Sequence, residues 1–403
     1  MKMKQKRMPF SVGLRLCACL LSLLLFPAGT AGAVGEPAAL TPPAAGTDLG
    51  LDCRSAVLME AETGQVLYAQ NAEEPLPPAS VTKIMTLLLV MEAIGDGRLS
   101  WDDELCASEK AASMGGSQIF LEPGESMTVR DLVKSVVISS ANDAAVVLAE
   151  AVAGSEAAFV ERMNARAAEL GMETAHFENT NGLDDTTENH VLSALDVARM
   201  SRALIAHREI LEFSSTWMDT VRGGTFGLSN TNRLIRTYPG ANGLKTGSTA
   251  KALFCVSATA ERGGMTLIAV IMAAPSRDAR NAAAAALLDW GFANFSVFRC
   301  PARETGTVPV TGGTERAVPT GTEAFCAVVP KGAEGRVETA CELPEALCAP
   351  LSPGEEVGRV TFSLDGAELG SVPVVTLRAV GRLSFGQFLG RMLRLFCLMK
   401  IKM

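Results

Sequence analysis

Ser80 and Lys83 stand three residues apart in PASVTKIMT, residues 78–86, immediately ahead of the apolar run LLLVMEAI. A serine hydroxyl is a weak nucleophile until a base takes its proton, and a lysine amine can be that base where burial or neighbouring cations lower its pKa. At a helix start the two side chains share one face a turn apart, and the backbone N–H groups there favour a developing oxyanion. The pattern fits a Ser–Lys acyl-transfer centre. Taken alone, it fits equally well an N-capped helix followed by a solvated lysine.

Two further stretches supply what such a centre lacks. Ser140-Ala141-Asn142 precedes the apolar helix pattern DAAVVLAEAVA and by itself is only a capped helix. Beside a Ser–Lys pair, Ser140 offers a hydroxyl to relay a proton to a leaving amine. Asn142 offers an amide able to bind both the lysine and a substrate backbone. GLKTGST, residues 243–249, reads as a strand and carries Lys245 and Thr246, a cation and a hydroxyl suited to a substrate carboxylate. Gly247 lets an extended substrate lie against the strand edge, and the N–H of Ser248 is placed to be a second oxyanion donor beside that of Ser80. The order of the three stretches, with separations of 60 and 105 residues, is far more specific than any one of them.

The elements that must position these residues follow from hydrophobic periodicity. SAVLMEAETGQVLYAQN alternates around Thr63-Gly64 and predicts a hairpin. Helical spacing recurs over about 80–95, 129–137, 141–153, 155–170 and 193–207. TFGLSNTNRLIR, GLKTGSTA, LFCVSATAE and MTLIAVIMAA read as strands, and SRDARNAAAAALLDWGFANF as a helix. Hairpin, helices, strands, helix is an α+β order: an antiparallel sheet flanked by helices, with a helical subdomain. Beyond about residue 300 the chain turns Gly-, Pro-, Thr- and Val-rich, with Asp365-Gly366 as a hairpin turn, which predicts a small all-β domain.

With 403 residues there is room for more than one core, and the net charge of −8 argues against a nucleic-acid partner. A basic MKMKQKR, an apolar LRLCACLLSLLLF and AGA at 31–33 compose an export signal, so the mature chain is expected outside the cytoplasmic membrane. The expected division is 1–33 signal peptide, 34–50 linker, 51–297 catalytic domain, 298–381 β-rich domain and 382–403 amphipathic helix. In that last segment, apolar residues from Leu383 to Phe396 alternate with Arg391 and Arg394, and Lys400 and Lys402 follow. This suits a helix lying in a membrane surface, not crossing it. Export permits disulfides, and Cys341 with Cys348 is the expected pair. The three histidines and the absence of Cys-x-x-Cys predict neither a metal site nor a cofactor.

Ser80-Val81-Thr82-Lys83, Ser140-Ala141-Asn142 and Lys245-Thr246-Gly247 resemble the motif set of the penicillin-recognising serine enzymes. PASVTKIMTLLLVMEA, SSANDAA, NTNGLDD, SRALI, NTNRLIRTYPGANGLKTGSTA and LLDWGFANF narrow the resemblance to the low-molecular-mass D-alanyl-D-alanine carboxypeptidases over about residues 52–297. The resemblance implies the β-lactamase/transpeptidase-like fold, with Ser80 acylated and Lys83 its general base. Ser140 and Asn142 then shuttle the proton and hold substrate, and Lys245, Thr246 and, from SRDARN, Arg280 engage the terminal carboxylate. The implied ligands are peptidoglycan stem peptides and, as inhibitors, β-lactams. One departure is Leu253, where such enzymes usually have glycine; a leucine there is expected to narrow the floor of the site. Two rival readings share the motifs: a β-lactamase, with Glu178 and Asn181 as the pair nearest its deacylating loop, and a penicillin-binding sensor that has lost turnover.

Overall fold

The computed structural model of the protein describes residues 48–185 and 187–399, so the expected signal peptide and most of the expected linker lie outside the described residues. Strands β1 (Ser55–Glu60) and β2 (Val66–Gln70) form the hairpin, and helix α1 (Lys83–Gly95) follows. Helices α2 (Val129–Ser139), α3 (Asn142–Ala153), α4 (Glu156–Glu169) and α5 (Ala194–Ala206) come next. A short helix, α6 (Leu234–Thr237), leads into β3 (Ala241–Thr249), β4 (Leu253–Arg262), β5 (Met265–Ala274) and helix α7 (Arg277–Asn294).

The five strands make one antiparallel sheet in the order β2-β1-β5-β4-β3. Its central strands are apolar at nearly every position because both faces are covered, and the two-residue period of a strand divides their side chains between two cores. Val57, Met59, Ile268, Val270 and Met272 pack with α1 to α5. Ala56, Leu58, Leu267, Ala269 and Ile271 pack with Ala284, Leu287 and Leu288 of α7. β3, with the Lys-Thr-Gly stretch, is an edge strand whose free side faces the turn before α1.

One expected strand is shorter than its pattern. TFGLSNTNRLIR is extended only over Phe226–Ser229. Asn230 then accepts the N–H of Asn232, and Asn232 accepts the N–H of Leu234, at 2.8 and 3.1 Å. These two side-chain turns divert the chain into α6, the local competition by which asparagine breaks a strand.

Strand β6 (Phe295–Cys300) continues from α7 and pairs with β9 (Phe325–Pro330). The strands β7 (Arg303–Thr311), β8 (Ala317–Thr322), β10 (Val337–Glu342), β11 (Leu347–Cys348), β12 (Glu356–Leu364) and β13 (Ala367–Thr376) form a six-stranded sheet. Asp365 and Gly366, at φ 51° and 83°, make the tight turn between β12 and β13. The expected Cys341–Cys348 disulfide is absent: both thiols are free, on β10 and β11, which are the first and last strands of the order β10-β12-β13-β8-β7-β11. Helix α8 (Phe385–Met399) closes the described chain. No helix among the described residues is long and apolar enough to cross a membrane.

Candidate active site

Ser80 lies on a 3-10 turn, Ala79–Thr82, that runs directly into α1. Pro77 and Pro78 fix the direction of approach, and Ala79 takes a left-handed φ of 49°. Several contacts hold this strained turn. The Thr82 hydroxyl donates to the Ala79 carbonyl at 2.8 Å, and Gly182 packs so closely there that an added Cβ would stand 1.9 Å from the same oxygen. The His190 Nδ1 accepts the N–H of Glu178 at 3.1 Å, so Nε2 carries the proton and donates to Thr82 Oγ1 at 2.8 Å. Burial pushes the pKa of His190 down to about 4, which keeps that neutral tautomer.

Lys83 is fully buried at the start of α1. Its amine reaches Ser80 Oγ at 3.0 Å, Asn142 Oδ1 at 2.6 Å and the Asn181 carbonyl at 2.9 Å. Burial, followed by the positive charge of Lys245, holds its pKa well below the usual lysine range, with Asp143 opposing. An amine whose pKa is lowered in this way, 3.0 Å from a serine hydroxyl, has the geometry a general base needs. The solvated-lysine alternative is excluded by the burial.

Ser140 ends α2 in the left-handed conformation, φ 63° and ψ 30°. Its buried Oγ has no hydrogen-bond partner among the described residues and lines the same cleft as Ser80. A buried, unpaired hydroxyl is costly, and a substrate or water in the cleft would pair it. Asn142 opens α3; besides holding Lys83, its amide donates to the Gly115 carbonyl at 2.6 Å. Asp143 accepts the N–H groups of Ile119 and Leu121, tying down the loop over the cleft.

The opposite wall is β3. Gly247 crosses the nucleophile turn so tightly that an added Cβ would come within 2.8 Å of Pro78 O and Ser80 N. This glycine is therefore required by backbone packing of the two motifs, a different reason from the substrate clearance its sequence suggests. It also brings Ser80 N close to β3, one residue from the exposed Ser248. Lys245 is buried and donates to the Thr246 carbonyl at 2.9 Å; burial, then the charge of Arg280, takes its pKa down to about 7. Thr246 donates to Thr231 Oγ1 at 2.7 Å. Arg280, on α7, is buried, and burial together with Arg277 lowers its pKa to about 10.

These walls enclose a cleft of about 810 Å³, lined by Ser80, Ser140, Thr246, Gly247, Ser248 and Arg280 among others. Lys83, Asn142 and Lys245 stand behind it. A similar volume of about 760 Å³ opens beside the β1–β2 hairpin, away from every one of these residues. All nine residues singled out from the sequence thus gather around one cleft. Sequence reasoning placed Asn181 only in the rival deacylating loop, because its contact with Lys83 is a main-chain carbonyl that leaves no side-chain signal, and it gave no role to His190, one of three histidines too few to suggest a metal site or a triad. Leu253 does not narrow the floor: it is 42% exposed and lies outside the cleft lining, at a left-handed φ of 55° that explains why glycine suits the position. Glu178 is also elsewhere, accepting the N–H groups of Glu188 and Asn189, and no carboxylate lines the cleft among the described residues.

Residues 42–276 match the D-alanyl-D-alanine carboxypeptidase family, and residues 301–382 match the C-terminal domain of penicillin-binding protein 5. The D-alanyl-D-alanine carboxypeptidase DacF of Bacillus subtilis is 40% identical over 352 residues, covering 86% of this chain and 90% of that protein. DacD of Escherichia coli, another D-alanyl-D-alanine carboxypeptidase, is 36% identical over 81% of this chain and 86% of its own length. Penicillin-binding protein 5 of Haemophilus influenzae superposes with a TM-score of 0.75 at 31% identity, covering 84% of this chain and all of that one. Penicillin-binding protein D2 of Listeria monocytogenes in its ampicillin-bound form has a TM-score of 0.56 at 34% identity, over 61% of this chain and all of its own. The chain belongs to the D-alanyl-D-alanine carboxypeptidase family of serine peptidases.

Proposed function

We propose that the enzyme removes the terminal D-alanine from peptidoglycan stem pentapeptides through an acyl-enzyme on Ser80, limiting cross-linking of the cell wall. The observation that carries this reading is the buried Lys83 amine 3.0 Å from the Ser80 hydroxyl, its pKa held well below the usual lysine range by burial. Lys83 takes the serine proton as Oγ attacks the penultimate D-alanine carbonyl, while the N–H groups of Ser80 and Ser248 hold the oxyanion. Ser140 passes the proton to the departing amine, and Asn142 holds Lys83 and the substrate backbone. Lys245, Thr246 and Arg280 bind the terminal carboxylate. The substrate lies along the free edge of β3 as an added strand, and water then hydrolyses the ester. β-Lactams, which carry a carboxylate and a strained amide, enter by the same route as inhibitors. The test is release of free D-alanine from a pentapeptide ending in D-Ala-D-Ala. Wild type should release it and Ser80→Ala should not; equal release by both would remove Ser80 from the reaction.

The setting is the outer face of the cytoplasmic membrane, reached through the 1–33 segment as an export signal. The 51–297 and 298–381 segments are a catalytic domain and a β-rich spacer, with 382–403 as the surface anchor. Support for the anchor comes from α8, where Phe385, Phe388, Leu393 and Phe396 are each more than half exposed. Arg391 meanwhile donates back to the Gly313 and Thr314 carbonyls, holding the helix against the β-rich part with its apolar residues outward.

A further inference from the structure

To act as a base, the amine of Lys83 has to aim a lone pair at Ser80, and its other partners set where that lone pair points. In its proton-accepting form the nitrogen carries two hydrogens. Asn142 Oδ1 at 2.6 Å and the Asn181 carbonyl at 2.9 Å are the acceptors that take them, which turns the lone pair toward Ser80 Oγ at 3.0 Å. Asn142 is fixed at the start of α3. Asn181 belongs to the segment 178–182, which is neither helix nor strand, so its carbonyl is only as well placed as that loop is fastened.

Two fastenings hold the loop to helices. Thr86 of α1 donates to the Thr180 carbonyl at 2.6 Å, and Glu156 of α4 accepts the Thr180 hydroxyl at 2.8 Å. Toward the nucleophile turn the fastening is His190. Its Nδ1 accepts the Glu178 N–H at 3.1 Å, its Nε2 donates to Thr82 Oγ1 at 2.8 Å, and Thr82 carries the link on to the carbonyl of the strained Ala79. Among the described residues only His190 and Lys83 itself have side chains hydrogen-bonded to both the loop and the turn. The Phe177 ring packs edge-on against the imidazole, 5.7 Å between centres. Main-chain bonds of Val191 with His176 and of Leu192 with Leu76 hold the backbone beside it. The segment is therefore anchored without the ring, and changing the ring removes the link while leaving the segment in place.

We propose that His190 is a positioning residue for acyl transfer: it latches the 178–182 loop to the Ser80 turn, so that the Asn181 carbonyl keeps the Lys83 lone pair aimed at the serine hydroxyl. The reading rests on the Ser80–Lys83 chemistry above. The imidazole lies outside the cleft lining and exchanges no proton with substrate. Its effect on Lys83 is twofold. A loosened carbonyl lets the amine turn away from Ser80, and it withdraws an acceptor that favours the charged form, which lowers the pKa of Lys83 further. Lys245 and Asp143, the charged groups that act on that amine, stay as they are.

The experiment uses the full-length enzyme with His190→Asn and His190→Gln, following D-alanine release from a pentapeptide ending in D-Ala-D-Ala across pH. The asparagine Oδ1 replaces Nδ1 and keeps the Glu178 bond; the glutamine Nε2 replaces the ring Nε2 and keeps the Thr82 bond. Each variant opens the latch at one end, so either one decides the matter if the other fails to fold. In each, kcat should fall about 10- to 100-fold, the scale of a misplacement of about 1 Å, while KM stays within about twofold. The acid limb of kcat should move to lower pH. In a Thr82→Val background, where the Thr82 bond is already gone, His190→Asn should cost no more than about twofold further. Wild-type kcat in either variant overturns the latch. So does a fall in kcat with the acid limb unmoved, as a folding defect alone would give, or a full further loss in the Thr82→Val background. A wild-type enzyme that releases no D-alanine would instead overturn the Ser80 chemistry.

Discussion

Replacing Lys245 by methionine should make the protein more stable at acidic and neutral pH while disabling it. The side chain is fully buried, and its pKa falls from 10.5 to about 7, first through burial and then through Arg280. At about 1.36 kcal/mol for each pH unit between those values, holding this lysine charged in the fold costs up to about 5 kcal/mol. Methionine has a similar reach, needs no solvation, and leaves unpaired only the Thr246 carbonyl, a loss of about 2 kcal/mol. A net gain of about 3 kcal/mol is therefore expected at pH 6, or roughly 6–12 °C in Tm. The sign follows from proton binding. Below pH 7 the native and unfolded chains both hold the proton, so the whole cost falls on the wild type. Between about 7 and 10.5 only the unfolded chain holds it, so wild-type stability climbs with pH and the advantage of Lys245→Met shrinks. It should be gone by about pH 9. Thermal unfolding of both proteins at pH 6, 7.5 and 9 measures this, alongside kcat/KM for the pentapeptide, which should drop about 10- to 100-fold. A variant no more stable than wild type at pH 6, or with the same Tm difference at pH 6 and 9, would refute the reasoning.

Lys83→Ala should slow acylation by penicillin about 10²- to 10⁴-fold with little change in initial binding, read by stopped-flow; a wild-type acylation rate would move the base elsewhere. Leu253→Gly should stabilise the chain by about 1 kcal/mol by releasing a left-handed leucine, with turnover unchanged because Leu253 lies off the cleft lining. Denaturant midpoints and D-alanine release check the two halves. Deleting residues 382–403 should abolish binding to anionic vesicles and leave pentapeptide hydrolysis intact. Full-length binding should weaken with salt as the cationic contribution is screened, and a truncated protein that binds as well would return α8 to a purely structural role.

What could be read from the sequence was whatever a local pattern encodes. The short continuous apolar runs of β1 and β5 and the longer apolar run of α1 place the sheet and its covering helices. The order of Ser80, Ser140 and Lys245 gives the cleft its three walls. What stayed hidden depends on contacts between distant segments. Gly247 reads as clearance for substrate until the Ser80 turn is seen pressed against it, and Leu253 reads as a floor residue until its exposure places it outside. The strand pattern in TFGLSNTNRLIR ran past its true end because two asparagine side chains capture backbone N–H groups within the stretch. The Cys341–Cys348 expectation used sequence proximity alone, whereas strand order puts those residues on the two outer strands.

The arrangement of charges couples substrate binding to base strength. Before binding, the pKa of Lys83 is held down first by burial and then by the positive charge of Lys245, which in turn lies within the field of Arg280. In the proposed binding mode, a substrate carboxylate seated between Lys245, Thr246 and Arg280 would cancel much of that field. The amine of Lys83 then becomes a stronger proton acceptor at the moment the serine proton must leave, with its geometry already fixed at 3.0 Å. A ligand without the carboxylate forfeits both its hold on the site and this gain in basicity. An amidated pentapeptide should accordingly lose in kcat as well as in KM. The acid limb of its kcat profile should lie at lower pH than that of the free acid, because Lys83 stays under the full repulsion of Lys245. If the amide lowered affinity alone and the two profiles coincided, the carboxylate would be acting only as a handle, and the base strength of Lys83 would be set by burial without help from the substrate.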